Sequence, residues 1–144
     1  MTRINLIPVQ ELSDQHLIAE YRELPRVCKQ KINIEGASDK YLLGKGHVKW
    51  CRKHLLFVIN RYYLLCSEMR YRGFTVNYEY DELLDYLFKN PVAEEFLWKD
   101  YEPTEDDIKL SRNRIISKIK MKPNWYKWTN RDKPEYVEKE CRND

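Results

Sequence analysis

The sequence predicts an all-α fold, with three main helices around one core. Three observations carry this. Val48, Cys51, Leu55, Val58, Tyr62, Leu65 and Met69 recur at alternating steps of three and four, one apolar seam over roughly six helical turns. Two further segments open on helix-capping residues, Ser13-Asp14 and Thr104. Strand-like alternation of apolar and polar residues is scarce. At 144 residues and 17.6 kDa the chain is long enough for a single domain with its own core.

Taken in order, the first helix starts near residue 14 and buries Leu17, Tyr21 and Leu24, spaced at i, i+4 and i+7. Pro25 is expected to kink or end it, because proline lacks the N–H and crowds the preceding turn. Residues 28–43 are mixed, and Gly36-Ala37-Ser38-Asp39 reads as a loop. Gly44-Lys45-Gly46-His47 opens the long seam helix, with Lys49, Arg52, Lys53, Arg61 and Arg70 largely outside the seam and Gly73 placed to stop it. Asp81–Phe88 suits a short helix before Asn90-Pro91. The third main helix follows Thr104, with Glu105, Asp106 and Asp107 in its first turn and Lys118, Lys120 and Lys122 near its end, as the helix dipole prefers. Ile108, Ile115 and Ile119 form its apolar stripe and Pro123 ends it. From Thr129 the chain is charged and poor in aliphatic residues, the composition of a mobile tail.

Composition excludes several classes. Apolar residues make up 42% and charged residues 34%, unlike collagen, low-complexity or wholly disordered chains. No apolar run approaches the length of a membrane span, and the first residues do not resemble a secretory signal, so the expectation is a cytoplasmic protein without a membrane partner. Cys28, Cys51, Cys66 and Cys141 have no CxxC spacing and read as free thiols. The net charge of +3 hides a strong asymmetry. Residues 1–72 carry net +6, residues 73–107 net −9 and residues 108–131 net +8. Two basic blocks around an acidic insert suit a polyanion partner, or solvated helix faces.

Two clusters hold candidate chemistry. Arg22, Glu23 and Arg26 are helical neighbours away from the Leu17 stripe, with His16 and Glu20 one to two turns earlier. They form either a surface ion ladder or a carboxylate held among cations. Arg114, Lys118 and Lys122 share a face and run into Trp125-Tyr126-Lys127-Trp128. Cations interleaved with aromatics suit phosphate contact and base stacking, although either tryptophan could instead anchor the core. Gly44-Lys45-Gly46 lacks the rest of a phosphate loop and reads as a turn. His47 and His54 have no third partner, so no metal is assigned.

Several runs together resemble the pyrimidine dimer DNA glycosylases, the small phage-type endonuclease V enzymes. These are MTRINL at the start, ELSDQHLIAEYRELPRV over residues 11–27, LGKGHV over 43–48, RGF over 72–74 and PNWYKW over 123–128. The resemblance implies a glycosylase-like domain over residues 1–128, with a charged tail over 129–144. It implies an N-terminal arm threading between the three helices, long loops and a monomer. It further implies a DNA glycosylase and abasic-site lyase acting on double-stranded DNA that carries pyrimidine dimers or abasic sites, with no metal or organic cofactor. By that resemblance the α-amine of Thr2, exposed on removal of Met1, attacks the sugar C1′. Glu23 stabilises the cationic sugar, and Arg22 and Arg26 hold phosphates and orient it. Arg3, Gln15, His16, Arg114, Lys118, Trp125, Tyr126, Lys127 and Trp128 match DNA-contacting positions.

The sequence also departs from the family pattern. The segment between Arg26 and Gly44 is short, Lys45 adds a charge, the acidic stretch before the third helix is long, and Trp128 stands where tyrosine is common. Two other functions compete: a non-catalytic DNA-binding module on the same scaffold, and a protein-interaction domain using the acidic region 79–107.

Overall fold

The computed structural model describes residues 3–31, 33–89 and 98–141. Six α-helices lie within them: α1 (Asp14–Lys29), α2 (His47–Lys53), α3 (Leu55–Tyr71), α4 (Tyr80–Lys89), α5 (Glu105–Met121) and α6 (Glu135–Glu140). A short 3-10 turn, Val9–Glu11, precedes α1. The all-α fold is as the sequence predicts, and α1, α3 and α5 are its three long helices. Among the described residues the β-type pairing is one isolated bridge, His54 to Trp98.

The helix ends follow from their capping residues. Ser13 Oγ accepts the His16 N–H at 3.1 Å and starts α1. Thr104 and Asp107 form a reciprocal box at α5, each side chain accepting the other's backbone N–H. At the end of α3, Gly73 takes a φ of 84°, and the N–H groups of Gly73 and Phe74 close onto the carbonyls of Arg70 and Met69. A side chain at that φ is strained, so glycine is the residue that stops this helix cleanly.

Three expectations need correction. Pro25 does not end α1, which continues to Lys29. Val27 and Cys28 beyond it are fully buried, and Arg52 donates to the Cys28 carbonyl, so packing outweighs the bond the proline removes. The long seam helix is two helices, broken at His54 (φ −115°, ψ 48°). There the 98–99 segment pairs with His54 and takes the Phe57 N–H onto the Lys99 carbonyl. The segment from Thr129 is not featureless. It carries α6 with Val137 buried, and Arg131 makes two bonds to Glu68 at 2.8–2.9 Å.

Arg52 and Arg61, assigned to the seam's outside, are also buried. Arg61 pairs with Glu20 at 2.6 Å, with both side chains at 5% exposure or less. Arg72 bonds Glu68 at 2.8 Å and Asp14 at 3.0 Å, while Asp14 accepts from Thr129. Burial alone would raise the Glu68 carboxyl, but hydrogen bonds from Arg131 and Arg72 hold it below its usual range. This second network joins the start of α1, the end of α3 and the chain after α5.

The N-terminal arm runs through the middle of the molecule. Ile4, Asn5, Leu6 and Ile7 are buried. Asn5 donates to Glu20 of α1 through its backbone N–H (3.2 Å) and its side-chain Nδ2 (2.6 Å). Leu6 N–H donates to Ser111 Oγ of α5 at 3.1 Å, and Arg61 of α3 donates to the Ile7 carbonyl. The arm is thus held between all three long helices. These backbone groups bond to side chains because an extended segment threaded between helices has no sheet neighbour to pair with.

His47 on α2 also meets the arm, and burial lowers its pKa to about 4, assisted by the charges of Arg3 and Arg114. A histidine with a depressed folded pKa stabilises the fold fully above the unfolded value of about 6.5 and loses that contribution as pH falls towards 4. Acidification from pH 7 to pH 5 is expected to remove about 2 kcal/mol through His47. Urea midpoints of the wild type and of His47→Leu at the two pH values check this, because His16 titrates over the same range, and an equal pH dependence in both contradicts it.

Candidate active site

The site is organised along α1. His16, Glu20 and Glu23 follow at steps of four and three, so they line one face over about 10 Å of helix. Glu20 faces inward and is consumed by Arg61 and Asn5. Glu23 is near the surface, with its side chain 22% exposed, and Arg26 Nη1 lies 3.9 Å from its Oε2. Arg26 is 78% exposed, and Arg22 is also exposed. A pair so open to water contributes little to stability. The buried Glu20–Arg61 pair holds this helix in place and leaves Glu23 at the solvent edge, where a ligand can reach it.

His16 is wedged between the capping serine and the chain after α5. Its Nδ1 is 2.8 Å from Ser13 Oγ, and its ring stacks on Tyr126 at 4.8 Å with planes 9° apart. Its pKa falls to about 4, first by burial and then by the positive charges of Arg114 and Lys118. His16 is therefore a neutral hydrogen-bonding group at physiological pH. Burial also lowers the Arg114 pKa. Tyr41 and Glu20 oppose that shift, while Arg3 adds to it. Arg3, Arg114 and Lys118 thus project a shared positive field onto this region from the arm and from α5, the arrangement an entering polyanion would relieve.

The aromatic segment divides as its chemistry allows. Trp128 packs, donating its Nε1–H to the Glu11 carbonyl at 3.0 Å. Trp125 stands 54% exposed, with the Lys122 ammonium 5.5 Å from its ring centre. Lys127 is exposed and Tyr126 half-buried. Gln15 holds this loop by both ends of its amide: Nε2 donates to the Trp125 carbonyl at 2.7 Å, and Oε1 accepts the Lys127 N–H at 3.1 Å. Asp14 N–H adds a bond to the Lys127 carbonyl at 2.7 Å. Gln15, expected on DNA, is engaged with the loop, so it shapes the surface that Trp125 and Lys127 present.

Residues 1–82 match the sequence model of the family described as pyrimidine dimer DNA glycosylase. This is more than half of the chain. The chain belongs to that family. Membership makes DNA repair its setting and DNA its substrate. The matched segment contains Arg3, Gln15, His16, Arg22, Glu23, Arg26 and His47. Helix α5 and the 125–128 segment lie beyond it, joined to it by the Leu6–Ser111 and Gln15–Trp125 hydrogen bonds and the His16–Tyr126 stack.

Thr2 lies outside the described residues. The structure brings Arg3, His16, Arg114, Lys118 and Tyr126 towards one region at the start of α1. Among the described residues no group of three or more histidine, cysteine or acidic side chains is placed to hold a metal ion. Within those residues no helix is long and apolar enough to cross a membrane. Sequence reasoning missed the side chains that fix the arm: Glu20, Arg61, Ser111, His47 and Tyr41. Arg61 was within reach of helix arithmetic, since it lies three residues after Val58 and four before Leu65, both buried in the seam.

Proposed function

We propose that this chain is a pyrimidine dimer glycosylase with coupled abasic-site lyase activity, acting through the α-amine of Thr2 once Met1 is removed. The observation that carries this reading is the tie between the arm and α1. Asn5 is bonded twice to Glu20, one helical turn before Glu23. An α-amine has a pKa of about 7.7–8.0, so it supplies more free base near neutrality than a lysine at about 10.4. Holding such an amine by its own backbone beside a carboxylate turns a bimolecular attack into an oriented one.

The amine lone pair bonds to the sugar C1′ as the C1′–N glycosidic bond breaks, its electrons leaving on the pyrimidine nitrogen. Loss of a proton from the nitrogen and opening of the sugar ring give the protonated imine. Removal of a C2′ proton then expels the 3′ phosphate with the electrons of the C3′–O bond. Glu23 stabilises the cationic sugar and carries protons. Arg22 and Arg26 hold flanking phosphates and orient Glu23. Arg3, His16, Arg114 and Lys118 grip the backbone, and Trp125, Tyr126 and Lys127 form the aromatic contact with the duplex, backed by Trp128, which is packed beneath them. Extruding a base costs least at damaged, weakly paired sites. No metal or organic cofactor enters this scheme, and the working unit is a monomer in which residues 1–128 carry the chemistry and the chain from Thr129 braces α1 and α3 through Asp14 and Glu68.

A duplex with one thymine dimer tests it. The expected result is a nick 3′ to the lesion and an unsaturated sugar end. Salt-sensitive binding without scission would favour the non-catalytic module and overturn this reading. Binding itself makes a prediction. Neutralising Arg114 or Lys118 should lower the slope of log K against log salt by about 0.9 for each phosphate that is no longer neutralised. Fluorescence anisotropy across a salt series measures that slope, and an unchanged value would remove the residue from the DNA surface.

A further inference from the structure

Ile4 is anchored through both polar atoms of its own backbone, and neither partner belongs to the site along α1. Its N–H donates to His47 Nε2 at 3.0 Å, and its carbonyl accepts the Tyr41 hydroxyl at 2.6 Å. Both partners are themselves fixed. His47 Nδ1 donates to the Leu42 carbonyl at 2.8 Å, which leaves the Nε2 lone pair free to accept from the arm. The Tyr41 ring meets Trp50 edge-on at 4.9 Å and His47 edge-on at 5.7 Å, and Trp50 is fully buried. The side chains of Tyr41, His47 and Trp50 are almost wholly enclosed, so neither anchor can swing to follow a displaced arm.

From this geometry we infer that His47 and Tyr41 are positioning residues, which set where the N-terminal amine sits by fixing the peptide groups on either side of Ile4. Ile4 is two residues after Thr2 in the sequence, and among the described residues it is the anchored residue of the arm nearest the N-terminus. The other anchors of the arm lie farther along: Glu20 on Asn5, Ser111 on Leu6 and Arg61 on Ile7. They fix depth and register, while the His47–Tyr41 pair fixes the end nearest the amine. The catalytic consequence rests on the amine chemistry proposed above; the tether itself does not.

The test uses the whole protein with Met1 removed, and two variants. Tyr41→Phe deletes one hydroxyl and keeps the ring packing. His47→Leu deletes the acceptor. Borohydride trapping on an abasic duplex is followed in single turnover, with saturating enzyme. A misplacement of about 1 Å can cost about 100-fold in rate. The expected result is an imine-formation rate lowered by about 10–100-fold in each variant, with affinity for a reduced abasic-site duplex unchanged and trapping amplitude complete. A merely structural role would instead lower the amplitude, through an unfolded fraction, at an unaltered rate. Wild-type rates in both variants overturn the inference. Amide exchange gives a readout independent of activity: Ile4 exchange should rise about tenfold or more in His47→Leu, with α3 core amides unchanged. Unchanged Ile4 protection overturns the tether. A wild-type chain that binds but never traps contradicts the amine reading alone, and exchange then decides the tether.

Discussion

Glu23→Gln is expected to bind lesion DNA like the wild-type chain and to lose cleavage by at least about 100-fold. The reason is positional. Glu23 sits at the solvent edge of α1 with a long 3.9 Å pairing to an exposed arginine, so removing its charge leaves no buried partner stranded. An amide of the same shape keeps the local packing but cannot stabilise a cationic sugar or accept a proton. The stability change should therefore stay within about 0.5 kcal/mol, as for surface substitutions. Single-turnover cleavage with a parallel unfolding curve checks both halves. Cleavage at the wild-type rate would take Glu23 out of the reaction, and a large loss of stability would mean that its role is structural.

Glu20→Ala is expected to do the reverse, destabilising the fold by about 3–5 kcal/mol. Glu20 is fully buried, and its two oxygens accept from Arg61 and from both the backbone and the side chain of Asn5. Its loss would leave a buried guanidinium uncompensated and release the arm from α1. Three residues apart on one helix, one carboxylate is consumed by the fold and the other stays at the solvent edge, available for the chemistry proposed above. Denaturant unfolding measures the loss, and a change below about 1 kcal/mol would show that the pair is not needed to hold the arm.

That separation marks the limit of what the sequence shows. Periodicity and capping residues suffice for α1, α4 and α5, and for the Gly73 stop, because these are local effects within a few residues. They fail at His54, where the break depends on a segment more than forty residues later in the chain, and at Pro25, where burial of Val27 and Cys28 overrides a local preference. Spacing puts Glu20 on the buried side, three residues after Leu17 and four before Leu24, and Glu23 off it, but the partners that let a carboxylate stay there, Arg61 and Asn5, are far away in sequence. His47 reads as an unpartnered histidine until the arm is seen to pass it. The aromatic run shows its chemical character but not which tryptophan packs; the Glu11 carbonyl decides for Trp128.

That the reacting amine is the chain's own N-terminus is tested most directly by locating the covalent link. The imine formed on a dimer-containing or abasic duplex is reduced with borohydride, the protein is digested, and the modified peptide is sequenced by mass spectrometry. The expected result is a deoxyribose adduct on the α-nitrogen of Thr2, in chains that lack Met1. An adduct on a lysine side chain, or scission with no covalent adduct at all, would contradict it.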